Sequence, residues 1–261
     1  MVMAVATAIV YLPMMSRAFT VDEAMTMVQF VKTPSLLDPF RLQVQANNQP
    51  ILSFVEHAIY STTGVSSEVA MRIFPIASAA ACVGLLVYVL SRRLGPVPGV
   101  AGGVVLMTNL LFVQEAWQAR AYSFLCLCTV ASTVLMARLE RNDSPSLRVG
   151  YATMLALGTG AHLYMLVVAG GQFLIAAVHR TLHRRLVLAW VAGVGMGLLV
   201  YVRILGTMLR AGEQHEGKFR PEFILSLGRA LLGEQIGAVL VVGSLVVVGL
   251  LRYGRRWDVW V

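Results

Sequence analysis

The chain has 261 residues, of which 57% are hydrophobic and 13% charged, with 21 basic against 13 acidic residues and a formal net charge of +8. Its apolar runs are long enough to cross a hydrocarbon core, which excludes an ordinary soluble domain. Their unbroken Leu, Val, Ala and Gly content excludes a β-barrel, whose strands alternate in polarity over roughly ten residues. Cys82, Cys126 and Cys128 fall inside these runs, so packing is expected of them, and neither a disulfide framework nor a thiolate metal site.

The charges divide the chain into about eight expected spans: Val2 to Met15, Val69 to Leu90, Val97 to Val113, Tyr122 to Ala137, Gly150 to His162, Tyr164 to Val178, Leu186 to Val202, and Ile236 to Leu251. The fifth and sixth are short for a core of ~30 Å at ~1.5 Å per residue, but fusing them would put the flanking arginine clusters on opposite sides. Kept apart, they gather Arg92, Arg93, Arg138, Arg141, Arg148, Arg180, Arg184, Arg185, Arg252, Arg255 and Arg256 on one side, against Glu140, Asp143 and Asp258. The whole formal charge of +8 then lies in short connectors on one face, which the positive-inside rule makes cytoplasmic. Topology thus explains the basic balance, and no nucleic-acid partner is implied. The expected fold is all-α, a polytopic transmembrane helical bundle forming one integral membrane domain over residues 1–261.

The outer face receives Asp22 and Glu23, a long first loop from Phe19 to about Glu68 with interfacial helices, the turn Gln114 to Arg120, His162, and an outer loop over residues 204–235. Thr20 and Glu23 have the S/T-x-x-E spacing of a capping box, so the acids can start a helix along the membrane surface. If Glu23 completes the cap, Asp22 in the same turn is left to face a substrate. Arg120 and Arg203 at span ends suit snorkelling, and His162 suits an interfacial position. The run Glu213 to Glu216 contains metal-ligand types but matches no defined helical zinc spacing. The clusters Gly158 to Gly160, Gly170-Gly171 and Gly193 to Gly197 fit close helix packing, with the methionines as core filler.

The order of these segments resembles the membrane-embedded GT-C glycosyltransferases, in particular the branch of protein O-mannosyltransferases, aminoarabinose transferases and related bacterial sugar transferases. Asp22-Glu23-Ala24 resembles the acidic motif after the first helix, and Asn48-Gln49-Pro50-Ile51-Leu52 the His-Pro-Pro-Leu-type segment. Ser67 to Pro75 looks like the start of the next helix, and Ser91 to Gly95 like the turn after it. Gln118-Ala119-Arg120-Ala121-Tyr122-Ser123 resembles the Glu-Ala-Arg-x-Tyr-Ser motif, and Ala161-His162-Leu163-Tyr164 a later Thr-His-Tyr-Tyr-like element. Together these cover residues 20–178. Gln118 stands where the family has an acid, Glu115 lying three residues earlier; Asn48 replaces the His and Gln49 the first Pro. Family members continue for several further helices, so the resemblance reads this chain as a shortened member or a fragment of one.

The resemblance implies a hexosyl- or pentosyltransferase that takes sugar from a polyprenyl-phosphate donor to a glycan, lipid or protein acceptor. It would act on the extracytoplasmic side of the bacterial plasma membrane. Asp22, with Glu23, is expected to serve catalysis. Arg120, helped by Lys218 and Arg220, would bind the donor phosphate, and Tyr122, His162, Glu115, Gln118 and Asn48 would contact substrate. No cofactor is required, although a divalent cation, Mg or Mn, on Asp22 or Glu23 would suit phosphate chemistry. The alternatives are a transporter or flippase of a lipid-linked substrate, and a non-catalytic lipid-binding membrane scaffold.

Overall fold

The computed structural model describes residues 1–41 and 49–202, and every regular element among them is helical. In chain order these are α1 (Val2–Tyr11), α2 (Val21–Thr26) running into a π-helical turn (Met27–Val31), α3 (Asp38–Arg41) and α4 (Pro50–Thr63). Then follow α5 (Glu68–Leu94), α6 (Pro96–Thr108), α7 (Leu110–Ala116), α8 (Tyr122–Leu139), α9 (Pro145–Ala161), α10 (Met165–Val178) and α11 (Arg184–Leu199). The expected span Ile236 to Leu251 and the outer loop over residues 204–235 lie outside the described residues.

A helix occupies each of the other seven apolar runs, but the expected count of about eight spans is not reached among the described residues. Two helices, α5 and α8, are long and apolar enough to cross a membrane, or three if α6 and α7 count as one span bent by 66°. The shortfall lies in helix length, since α1, α9, α10 and α11 have 10, 17, 14 and 16 residues, and in a break inside the third run. Asn109 takes an extended conformation at φ −61° and ψ 127°, and its side chain caps α7 by accepting the Phe112 N–H, so the third run is broken in two. His162, extended at φ −158° and ψ 135°, ends α9 after 17 residues, and α10 has only 14. The fifth and sixth runs are therefore separate helices, as their flanking charges suggested.

At 27 and 18 residues, α5 and α8 are about 40 and 27 Å long. They pack side by side and run parallel. Near their starts the Ser123 hydroxyl donates to the Pro75 carbonyl at 2.8 Å, and near their ends Tyr88 to Arg93 face Thr133 to Arg138. The connectors after α8 and α10 meet at that same far end. Thr181 donates its hydroxyl to Glu140 at 2.6 Å, and Asp143 pairs with Arg148 at 3.3 Å and Arg185 at 3.1 Å. The basic connectors of the described residues thus collect at one end of the bundle.

The most extensive helix pairing is α9 with α11, and glycine makes it possible. A Cβ at Gly193 would lie 2.6 Å from the Ala152 carbonyl oxygen, and one at Gly197 2.8 Å from that of Ala156, so each helix presses on the other's backbone. A Cβ at Gly170 meets nothing within 4 Å. Gly193→Ala and Gly197→Ala should each lower stability by about 1–3 kcal/mol through overpacking, whereas Gly170→Ala should not. Thermal unfolding of the three variants in detergent checks this; equal midpoints would contradict the close approach.

Candidate functional site

The site begins at the first turn of α2. Thr20 is its N-cap: the Thr20 hydroxyl accepts the Glu23 N–H at 3.3 Å, and the Glu23 carboxylate accepts the Thr20 N–H at 2.7 Å. The capping box that the spacing suggested is therefore formed. It also sends the two neighbouring acids apart. Glu23 is 1% exposed, while the Asp22 side chain is 53% exposed.

Buried Glu23 meets buried Arg72, the fifth residue of α5. Glu23 Oε1 accepts from Arg72 Nε at 3.1 Å and from the Ala119 N–H at 2.6 Å, and Oε2 accepts from Arg72 Nη2 at 2.9 Å as well as from Thr20. The rest of the guanidinium caps the chain leaving α1, donating to the carbonyls of Met14 at 3.1 Å, Met15 at 3.2 Å, Arg17, and Ala18 at 3.3 Å. It also lies 4.6 Å from the Trp117 ring and 5.5 Å from that of Phe19. One guanidinium thus joins the end of the first helical segment, α2, and the turn between α7 and α8 to the start of α5. Burial by itself would push the Glu23 carboxyl up. The Arg72 fork and the Thr20 and Ala119 N–H groups more than offset this and hold it below the ordinary carboxylate range.

With that frame fixed, Asp22 reaches Arg120 across 98 residues of chain, its Oδ2 on the guanidinium Nη1. Arg120 Nη2 lies 3.4 Å from the Tyr122 hydroxyl, and its guanidinium carbon is 5.3 Å from the Tyr122 ring. The His162 ring is packed between Tyr122, with centroids 5.2 Å apart, and Tyr164, at 4.4 Å. Glu115 lies within electrostatic reach of Arg120, Asp22 and Glu23. The structure therefore brings together Asp22, Glu23, Glu115, Arg120, Tyr122 and His162 from separate sequence segments. Gln118 donates to the Gln114 carbonyl at 2.8 Å and braces its own turn. Asn48, Lys218 and Arg220 lie outside the described residues.

Several residues were not legible as part of this site. Arg72 is the foremost; in sequence it is one charge at the start of an apolar run. Gln49, Ser53 and Glu56 follow an i, i+4, i+7 spacing that puts them on one face of α4, and all three are buried. Gln49 Oε1 accepts the Ala121 N–H, tying α4 to the residue after Arg120. His57 donates Nδ1–H to the Val31 carbonyl at 2.7 Å. Burial pushes the Glu56 carboxyl well above the ordinary range, and the nearby Glu23 charge adds to this. Glu56 Oε1 and Gln49 Nε2 are buried with no hydrogen-bond partner among the described residues.

Among the described residues, no three His, Cys, Asp or Glu side chains are grouped to hold a metal ion. Comparisons with protein-family models, with curated proteins and with solved structures found no match.

The buried pair dictates a stability test. Arg72→Gln or Glu23→Gln leaves the other charge buried and uncompensated, so each should cost about 3–5 kcal/mol. The lowered Glu23 pKa means that its contribution is present above the ordinary carboxylate range and is lost as pH falls through its folded value. Unfolding midpoints measured from neutral to acid pH should fall less steeply in Glu23→Gln than in the parent chain. Parallel curves at equal stability would contradict the buried ion pair.

Proposed function

We propose that the chain is a glycosyltransferase of the membrane-embedded GT-C type, moving a sugar from a polyprenyl-phosphate donor to an acceptor hydroxyl at the end of the bundle that carries Asp22 and Arg120. The observation that carries this is the meeting of a half-exposed carboxylate with a guanidinium from a distant turn, at the starts of the two membrane-length helices. The basic connectors lie at the opposite ends of the same helices, as expected if the site faces outward and the arginines face the cytoplasm. Large apolar side chains are exposed along the helices, among them Val2, Val97, Val167 and Leu188, which suits lipid contact. The fuller arrangement of about eight spans belongs to this same proposal, with the shorter helices matched by local thinning of the bilayer.

The chemistry follows from the two groups. Asp22 accepts the proton of the acceptor hydroxyl as that oxygen attacks the anomeric carbon. The bond from that carbon to the phosphate oxygen breaks, and the lipid phosphate leaves with its electron pair. One direct displacement inverts the anomeric centre. Arg120 offers paired N–H donors to the phosphate oxygens and compensates the charge that develops on them. Asp22 pairs with the same Arg120 guanidinium that a donor phosphate would take, so a phosphate offering two oxygens competes with Asp22 and frees it to act as base. Glu23 has a different task, because its oxygens already accept four hydrogen bonds. A divalent cation on Glu23 would have to displace those donors, and one on Asp22 would have to displace Arg120. This donor set does not fit a resident cation.

Removing a phosphate donor such as Arg120 should cost a few kcal/mol, or roughly a hundredfold or more in rate. In membranes supplied with radiolabelled polyprenyl-phosphate sugars, transfer should be reduced at least that far in Arg120→Ala and in Asp22→Asn at matched expression. Transfer that survives in both variants would contradict the assigned roles. No transfer from any donor by a folded, inserted parent chain would favour the non-catalytic lipid-binding reading.

A further inference from the structure

At the end of the α5–α8 pair opposite Asp22 and Arg120, a cavity of about 400 Å³ lies between the two helices, lined by Tyr88, Arg92, Arg93, Thr133 and Arg138 with Val89, Val134 and Ala137. We propose that this cavity binds the headgroup of an anionic phospholipid, with Arg92, Arg93 and Arg138 around the phosphate. The inference rests on the membrane placement proposed above and is independent of the transferase chemistry.

Charge supports this first. Three guanidiniums line the cavity and no carboxylate does. None of the three forms an ion pair among the described residues. Arginines at helix C-termini are favourable without any ligand, because each terminus carries about half a negative charge. Two termini supply about one negative charge, however, against three cations, so most of the positive charge is left for an external anion. Guanidinium pairs bind phosphate oxygens in bidentate fashion, and basic pockets between membrane helices on the positive side suit such headgroups.

The cavity walls favour a lipid over free phosphate. Tyr88 lies six residues before the end of α5, about 9 Å along the axis, so the apolar lining of Tyr88, Val89, Val134 and Ala137 continues inward from the arginines. Tyr88 is 53% exposed and its ring centre is 6.0 Å from the Arg92 guanidinium, the placement of an aromatic residue at a headgroup boundary. A phosphate ion would use only the basic rim. A phospholipid would also cover the apolar lining with its glycerol and upper acyl carbons.

The test is equilibrium binding of radiolabelled short-chain phosphatidylglycerol to the purified full chain in nonionic detergent, with phosphatidylcholine and inorganic phosphate as competitors. Saturable binding that neither competitor displaces is expected. Each of Arg92→Gln and Arg138→Gln should weaken it about fivefold, and the double variant about 25-fold, at roughly 1 kcal/mol per arginine. Arg184→Gln, an exposed arginine outside the cavity, should leave affinity unchanged. Unchanged affinity in the single variants, each verified as helical and monodisperse, would overturn the site, as would displacement by inorganic phosphate. Carbonate washing of membranes separates the two levels of the inference. A chain that stays in the membrane but binds lipid without dependence on these arginines overturns the cavity alone, whereas a chain released by the wash overturns the membrane placement as well.

Discussion

The buried fork between Arg72 and Glu23 holds the Asp22–Arg120 end of the molecule in place. An arginine and a glutamate, both withdrawn from solvent, would be costly unless every donor and acceptor were satisfied, and here the guanidinium uses its N–H groups on one carboxylate and four backbone carbonyls. Those carbonyls belong to the stretch Met14 to Ala18, which leaves α1 without regular structure of its own beyond a single 3₁₀ turn. The carboxylate in turn holds the start of α2 and the Ala119 N–H. Three chain segments that share no sheet and little direct packing therefore acquire fixed positions from a pair of side chains.

The division of labour between neighbouring acids follows from this. Successive residues at a helix N-terminus point about 100° apart, so when the capping box and Arg72 draw Glu23 inward, Asp22 is turned outward by the same geometry. The Ala119 N–H fixes the turn whose next residue is Arg120, and the Ala121 N–H is taken by Gln49 from α4. Arg120 is thus clamped on both sides through its neighbours' backbone, and it meets Asp22 as a consequence. A structural acid thereby places an exposed one, and the same helices that begin at this centre end about 27–40 Å away among arginines.

Much of this was legible in the amino-acid sequence and some was not. Helix positions followed from apolar runs and charge punctuation, and the Thr20–Glu23 box followed from local spacing, because both depend on contacts within a few residues. Asp22 and Arg120 were placed on the same side by the charge pattern, and the structure brings them into contact, although the sequence alone also allowed a cap for the acids and a snorkelling arginine. The break at His162 was legible because the charges flanking the fifth and sixth runs required two helices, whereas the break at Asn109 was not: Asn109 lies inside one apolar run and ends α6 through an extended conformation that the sequence pattern does not reveal. Arg72 was passed over because its partners lie 49 residues away in Glu23 and in backbone carbonyls, which leave no signature in side-chain pattern. The buried stripe of Gln49, Ser53 and Glu56 was hidden in a segment read as part of a long outer loop.

The most direct measurement is the sidedness of the two ends in intact cells. In a chain whose three cysteines are replaced, single cysteines at the exposed positions Ser61, beside the start of α5, and Asn142, after α8, are treated with a membrane-impermeant maleimide. A structure that crosses the bilayer with Asp22 and Arg120 outward should label Ser61→Cys from outside, and Asn142→Cys only after permeabilisation. Equal labelling of both from one side would contradict the placement of the Asp22–Arg120 pair and the arginine-rich end on opposite faces.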